Sequence, residues 1–259
     1  MDLTEILESL KEGKISVDEA EKNIRLLAVK NIESACLDIS RLQRKGVPEI
    51  VLAEGKALND VIEISSALLN EQGRAIVSRA DPNVVEALAS NFGSIAKINI
   101  GKRSGTVIMR DPKHPLLKTI GKVGVLSAGT ADARVSEEVE MILEELGCGV
   151  LSFHDLGIAG IQRLFPAVKK CIEEDVDSIV VIAGMEGALA SIVSSLVSLP
   201  VIGVPTSSGY GHGGRGEGAI ASMLQSCTPG LVVVNIDNGV GAAVAAALIS
   251  KRISKHKQI

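Results

Sequence analysis

Forty residues near the C-terminus, Ile202 to Gly241, hold an apolar strand, a glycine-dense loop, a lone cysteine and the run NIDNGVGAA. Glycines at 203, 209, 211, 213, 214, 216 and 218 leave few side chains between backbone and ligand. Bare N–H groups there can wrap a phosphate or a ribose. Flanking residues supply the chemistry: Thr206, Ser207, Ser208, His212, Arg215, Cys227, Asn235 and Asp237. Cys227 becomes a nucleophile if a cation, a histidine or a helix N-terminus lowers its pKa; otherwise it is a semi-buried thiol. A flexible surface linker is the competing account of the glycine run, but linkers seldom join two strands as apolar as PVIGVP and LVVVNI.

What must position these groups is legible from Lys122 onward, where apolar strands alternate with amphipathic helices. The order is KVGVLSAG, VSEEVEMILEELG, GVLSFHD, GIQRLFPAVKKCIEE, SIVVIAG, EGALASIVSSLVS, PVIGVPT, the glycine loop, GAIASMLQS, LVVVNID and GAAVAAALISKRIS. Five near-continuously apolar strands separated by helices predict a parallel sheet buried on both faces, a doubly wound α/β domain. Ser136, Glu137 and Glu138 are expected to open the first of these helices, with Gly147 as its stop and Lys169 and Lys170 near the end of the next. Open parallel sheets bind ligands beyond the carboxyl ends of their strands. The residues to watch are therefore 127–132, His154 and Asp155, 184–187, 206–208 and 235–238.

Residues 1–118 read as a smaller α+β domain and residues 119–259 as the nucleotide-binding one, divided where prolines and charges cluster in DPKHPLLKTIGK. A chain of 259 residues with 46% hydrophobic side chains can bury a large aliphatic core. With a net charge of −4, no tryptophan and a single tyrosine, Tyr210, the chain lacks both the basic footprint and the aromatic platform of a nucleic-acid binder. The start MDLTEILESLKEGKIS has no signal-peptide apolar region and no apolar run reaches membrane length, so a cytoplasmic protein is expected. Cys36, Cys148, Cys171 and Cys227 form no CxxC pair and have no histidines at zinc-ligand spacing; Cys148 and Cys171 read as small core residues.

Two further segments carry chemistry. In VLSAGTADARVSEE, Ser127, Gly129, Thr130 and Asp132 join the first strand to its helix; the segment is neither GxGxxG nor a P-loop, and an anion site and an ordinary capped turn fit it equally. In AGMEGALAS, Gly184 and Gly187 clear space around Glu186, which suits a catalytic or substrate-orienting carboxylate, although a first-turn acid facing the helix dipole explains it too.

The combination of SAGTAD, DLGIAG, AGMEGALASIV, PVIGVPTSSGYG, MLQSC and VVNIDNGVGAA, in that order, resembles the LarB family, carboxylase/hydrolases that begin synthesis of the nickel-pincer nucleotide. PEIVLAEGK and Ser78-Arg79-Ala80 resemble that family's N-terminal part. The resemblance implies a flavodoxin-like sheet of the aminoimidazole ribonucleotide mutase type. It also implies carboxylation of nicotinic acid adenine dinucleotide at ring C5 by CO2, with loss of AMP. In that reading Cys227 adds to the pyridinium ring, and Glu186 and Asp155 are further catalytic candidates. Substrate would be held by Ser127, Gly129, Thr130, Asp132, Gly184, Gly187, Thr206, Ser207, Ser208, Gly209, Asn235, Asp237 and Asn238, with Glu54, Lys56 and Arg79 from the N-terminal part. Magnesium without an organic cofactor, and a homo-oligomer such as the octamers of this fold, complete what the resemblance implies; the metal ligands are unassigned. An aminoimidazole ribonucleotide mutase and a noncatalytic nucleotide sensor are the competing functions.

Overall fold

The structure, a computed structural model, describes residues 3–26, 29–39, 41–114, 117 and 119–257. The chain divides into two compact units, residues 1–99 with 107–114, and residues 100–106 with 115–259.

In the first unit, helices α1 (Leu3–Lys11) and α2 (Val17–Leu26) precede a small antiparallel pair, β1 (Val29–Asn31) and β2 (Cys36–Asp38), and a short α3 (Arg41–Lys45). Then come β3 (Ile50–Leu52), α4 (Leu58–Gln72), β4 (Arg74–Ser78), α5 (Pro82–Phe92), β5 (Lys97–Ile100) and β6 (Val107–Arg110). The last four strands form one mixed sheet in the order β3-β4-β6-β5, with β3 parallel and β6 antiparallel to β4. Local chemistry sets the helix ends. Gly73, at φ 66°, closes α4 by donating to Leu69 O, and Asp81 caps α5 by accepting from Val84 N ahead of Pro82. Strand β4 is buried along its whole length and packs with Leu68, Leu88 and Met109 in this unit's core.

The second unit alternates strand and helix without exception: β7 (Gly121–Ser127), α6 (Ala133–Glu145), β8 (Cys148–Phe153), α7 (Leu164–Glu173), β9 (Ser178–Ala183), α8 (Ala188–Leu196), β10 (Val201–Pro205), α9 (Glu217–Leu224), β11 (Leu231–Val233) and α10 (Gly239–Lys257). All five strands are parallel, in the order β11-β10-β9-β7-β8, the flavodoxin-like arrangement. Helices α6 and α10 pack together against one face, while α7, α8 and α9 cover the other. The central strand β9, SIVVIA, is buried at every position, which accounts for its unbroken apolar run. Fully burying each of its Ile and Val side chains contributes about 1.5–3 kcal/mol.

One expected boundary moves. Helix α6 starts at Ala133, so Ser136, Glu137 and Glu138 occupy its second turn instead of opening it. Each has a tertiary partner there. Glu137 accepts from the backbone N–H groups of Lys102, Arg103 and Ser104, and a Cβ placed on Gly239 would lie 2.5 Å from the Glu138 carboxylate. The acids that suggested a helix start are held by packing and hydrogen bonds farther along it. Among the described residues no helix is long and apolar enough to cross a membrane.

Candidate active site

A cavity of about 490 Å³ opens at the carboxyl edge of the second sheet, between the loops that leave β7 and β9. These two neighbouring strands are where the direction of winding reverses, and their outgoing loops must part. Ala128, Gly129 and Asp132 form one wall, Gly184, Met185 and Glu186 the facing one; Gly157 and Ile158 come from the loop after β8, and Ser208 to Tyr210 from the glycine loop. The loop backbones are strained here. Asp155, Met185, Arg215 and Asp237, in the loops that follow β8 to β11, have φ between 51° and 58°, unusual for residues with a Cβ.

Asp132 anchors the wall. It is 3% exposed; its Oδ2 accepts from Gly129 N at 2.9 Å, and its Oδ1 accepts from Thr206 Oγ and Ser208 Oγ, each at 2.6 Å. One carboxylate thus ties the β7 loop to the β10 loop. Gly184 is needed for this closure, because a Cβ there would lie 2.1 Å from both the carbonyl and the hydroxyl of Ser208. Gly187, at φ 65°, begins α8 where a side chain would meet Ala219 O at 2.7 Å. Glu186, just ahead of that helix, is exposed and lines the cavity.

Several other sequence candidates lie at the same edge with their polar groups turned to structural partners. Ser127 is buried, its hydroxyl 2.9 Å from His154 Nδ1; Ser136 and Glu140 of α6 complete that network, with Glu140 Oε1 3.6 Å from His154 Nε2. Thr130 is exposed beyond the wall. Ser207 N donates to Asp237 Oδ1, whose carboxylate also faces Arg134 at 3.5 Å. The Asn235 and Asn238 side chains accept from Ile236 N and Gly241 N. Asp155 is exposed and paired with Arg163. In the first unit, Glu54 and Arg79 form an ion pair of 3.1 Å after β3 and β4, with Lys56 exposed nearby in sequence. Sequence reasoning reached Met185 only as part of the segment 184–187 and did not single out Ile158 or Arg134, whose signal was position alone, in the loop after a strand or at a helix start.

The four cysteines separate clearly. Burial, reinforced by the Asp177 charge, pushes the Cys148 thiol up to about 11. Burial alone does the same to Cys171. Both stay protonated and inert near neutrality. Cys36 and Cys227 are exposed, and of these only Cys227 belongs to the second unit. It lies in the α9–β11 loop, where Thr228 Oγ donates to Ser191 O and Ser194 Oγ to Pro229 O. That loop feeds the amino ends of the strands, whereas the glycine loop leaves from the carboxyl end of β10. Cys227 therefore does not line the cavity of its own chain.

A doubly wound parallel sheet with a cavity at its switch point is the place where open α/β folds bind their ligands. The AIR carboxylase model matches residues 122–258, and the LarB/PurE-like N-terminal domain matches residues 29–110. The chain belongs to the AIR carboxylase family, carries a LarB/PurE-like N-terminal domain, and has a carboxylase/mutase-type function. It is 44% identical over 258 residues, 98% of both chains, to an uncharacterised protein of Methanocaldococcus jannaschii. It is also similar to two N5-carboxyaminoimidazole ribonucleotide mutases. The one from Pyrococcus horikoshii is 33% identical over 133 residues (49% of this chain, 71% of the other), and the one from Thermotoga maritima 26% over 147 residues (53% and 84%).

Proposed function

We propose that this enzyme carboxylates the pyridinium ring of nicotinic acid adenine dinucleotide at C5 and releases AMP, leaving pyridinium-3,5-biscarboxylic acid mononucleotide. The observation that carries this reading is the charge of the cavity. Among the described residues its lining holds two carboxylates, Asp132 and Glu186, with mostly apolar side chains and no lysine, arginine or histidine. Such a wall suits a ring that is itself positive. Phosphates would be met by the backbone N–H groups at the starts of α6 and α8 other than those of Gly129, Asp132, Met185 and Gly187, which already donate within the loops.

A pyridinium is electron-poor and does not attack CO2. Addition of a thiolate at C4 forms a C–S bond and moves an electron pair to the ring nitrogen, leaving an N1–C6=C5 enamine. C5 then attacks CO2, the C5 proton departs to a base, and expulsion of the thiolate restores the aromatic cation. Glu186 is the exposed carboxylate within the cavity and is assigned that proton. The thiolate is that of Cys227, which in a single chain stands at the other edge of the sheet, so the thiol entering each cavity comes from a second copy in a homo-oligomer.

Hydrolysis of the phosphoanhydride consumes one water and releases AMP. Among the described residues no three His, Cys, Asp or Glu side chains gather as a metal cage, and both oxygens of Asp132 already accept hydrogen bonds. Glu186 is the cavity carboxylate that would be left to hold a magnesium ion, since Asp132 is already engaged. The ion would supply charge neutralisation and orient the attacking water.

The test is mass spectrometry after incubation with the dinucleotide, bicarbonate and magnesium. AMP together with a mononucleotide heavier by one carboxylate is expected. Carboxylate transfer on an aminoimidazole ribonucleotide, unaffected by Cys227→Ala, would instead favour a mutase, a second reading supported by the similarity to the Pyrococcus horikoshii enzyme.

A further inference from the structure

Tyr210 is the one aromatic residue lining the cavity, and it is 83% exposed at the mouth. Met185, 48% exposed, and Ile158 line the same opening. A single exposed ring means little by itself. Here the ring belongs to a cavity whose described residues include two carboxylates and no cation, and each of these features attracts the same kind of guest. A π face and a carboxylate both favour a positive charge, and a thioether with an aliphatic wall favours a flat apolar body. Open space borders the ring at Gly211, where nothing lies within 4 Å of an added Cβ, while the loop is held farther on, with Gly218 3.2 Å from a Cβ on Gly213 and Ile236 2.7 Å from one on Gly216.

We infer that Tyr210 stacks over a positively charged heteroaromatic ring in the cavity and thereby selects a quaternised ring over its neutral counterpart. Identifying that ring with a nicotinate pyridinium rests on the proposed function; the preference for charge rests on the cavity. In water the ring's positive charge is solvated on both faces. Under Tyr210 one face exchanges water for the aromatic quadrupole while the carboxylates remain close, so a neutral ring of the same shape gains only the apolar contact. An aromatic–cation contact of this kind corresponds to about 5- to 30-fold in affinity when it is partly desolvated.

The composition provides the probe. With no tryptophan and one tyrosine in the chain, tyrosine emission from the unmodified full-length protein reports on Tyr210 alone. The protein is titrated with 1-methylnicotinamide, a cation, and with nicotinamide, its neutral near-isostere; each titration is corrected for ligand absorbance with free tyrosine. Saturable quenching by the cation, about tenfold tighter than by the neutral ring, is expected. Calorimetry with Tyr210→Phe should retain that preference and with Tyr210→Leu should lose it. Equal, non-saturating quenching by both ligands would overturn the inference, as would an undiminished cation preference in Tyr210→Leu. No carboxylation enters this measurement. If the cation binds selectively but no dicarboxylated product ever forms, the proposed reaction fails and ring selection stands. If Tyr210→Leu makes that product with wild-type KM, ring selection by Tyr210 fails and the reaction stands.

Discussion

If the thiol of one chain serves the cavity of another, two inactive variants should repair each other. Cys227 and the cavity lie at opposite ends of β10 and β11, and the five residues of β10 alone span about 16 Å. A cysteine side chain, one carbon and one sulfur long, cannot cover that distance. Co-expressing Cys227→Ser with Glu186→Gln places an intact cavity and an intact thiol on different chains. With equal amounts and random assembly in a symmetric oligomer, half of the cavities keep Glu186, and half of those meet a Cys227. About a quarter of the sites are then complete. A thiol acting within its own chain predicts none, because no chain carries both groups. Formation of AMP and the dicarboxylated mononucleotide is followed by mass spectrometry, with a different tag on each variant to verify co-assembly. Co-assembled oligomers no more active than the single variants would refute the exchange between chains, and Cys227→Ser turning over at the wild-type rate would remove the thiol from the reaction.

Two other substitutions test the scaffold. Gly184→Ala puts a methyl group 2.1 Å from Ser208 O and Oγ, so the loop holding Ser208 must leave Asp132; overpacking of this kind costs about 1–3 kcal/mol, and an unchanged thermal midpoint would contradict the packing described. At Glu137, burial raises the pKa, but the hydrogen bonds from the backbone of Arg103, Ser104 and Lys102 and from the Ser104 side chain outweigh it, leaving the carboxyl below its ordinary 4.5. Its folded-state pKa being depressed, the stabilisation is complete above the ordinary glutamate range and is lost as pH falls through the folded value. Glu137→Gln should therefore be less stable than the wild type at neutral pH, with the gap closing in acid; a gap independent of pH in denaturant titrations would exclude this role.

The five strands of the second unit were legible because burial on both faces leaves an unbroken apolar run, as in SIVVIA and VIGVP. The edge that carries the site was legible too, since parallel topology sends every strand's outgoing loop to one side. Side-chain direction within those loops was not. Ser127 and Asp237 have the right residue types at the right edge, yet one faces His154 and the other the Ser207 backbone, because tertiary neighbours decide which polar group a short side chain satisfies. The start of α6 was misread for a related reason: Glu137 and Glu138 suit a helix N-terminus, but their partners lie in residues 102–104 and around Gly239, far away in sequence. Cys227 illustrates the opposite error. Ten residues of sequence separate it from Glu217, at the end of the glycine loop, but α9 lies between them and carries the chain from one edge of the sheet to the other.

One fold accommodates both the mutases and the reaction proposed here because the shared parts recognise what their nucleotides share. Backbone N–H groups at the switch point bind phosphate whatever base is attached, so similarity across residues 122–258 constrains the ring very little. Discrimination falls to the few side chains that face the base. In this chain they are acidic, aliphatic and, at Tyr210, aromatic, with Asp132 already occupied in holding two loops together. A neutral aminoimidazole can only donate N–H hydrogen bonds to such a wall, whereas a pyridinium gains from both the charge and the ring. An exposed thiol is likewise of no use to a ring that is electron-rich from the outset, and of direct use to one that must first accept an electron pair. On the proposed reading, the charge of the cavity and the exposure of Cys227 point to the same class of substrate from opposite edges of the sheet, and a second copy of the chain is what would bring them together.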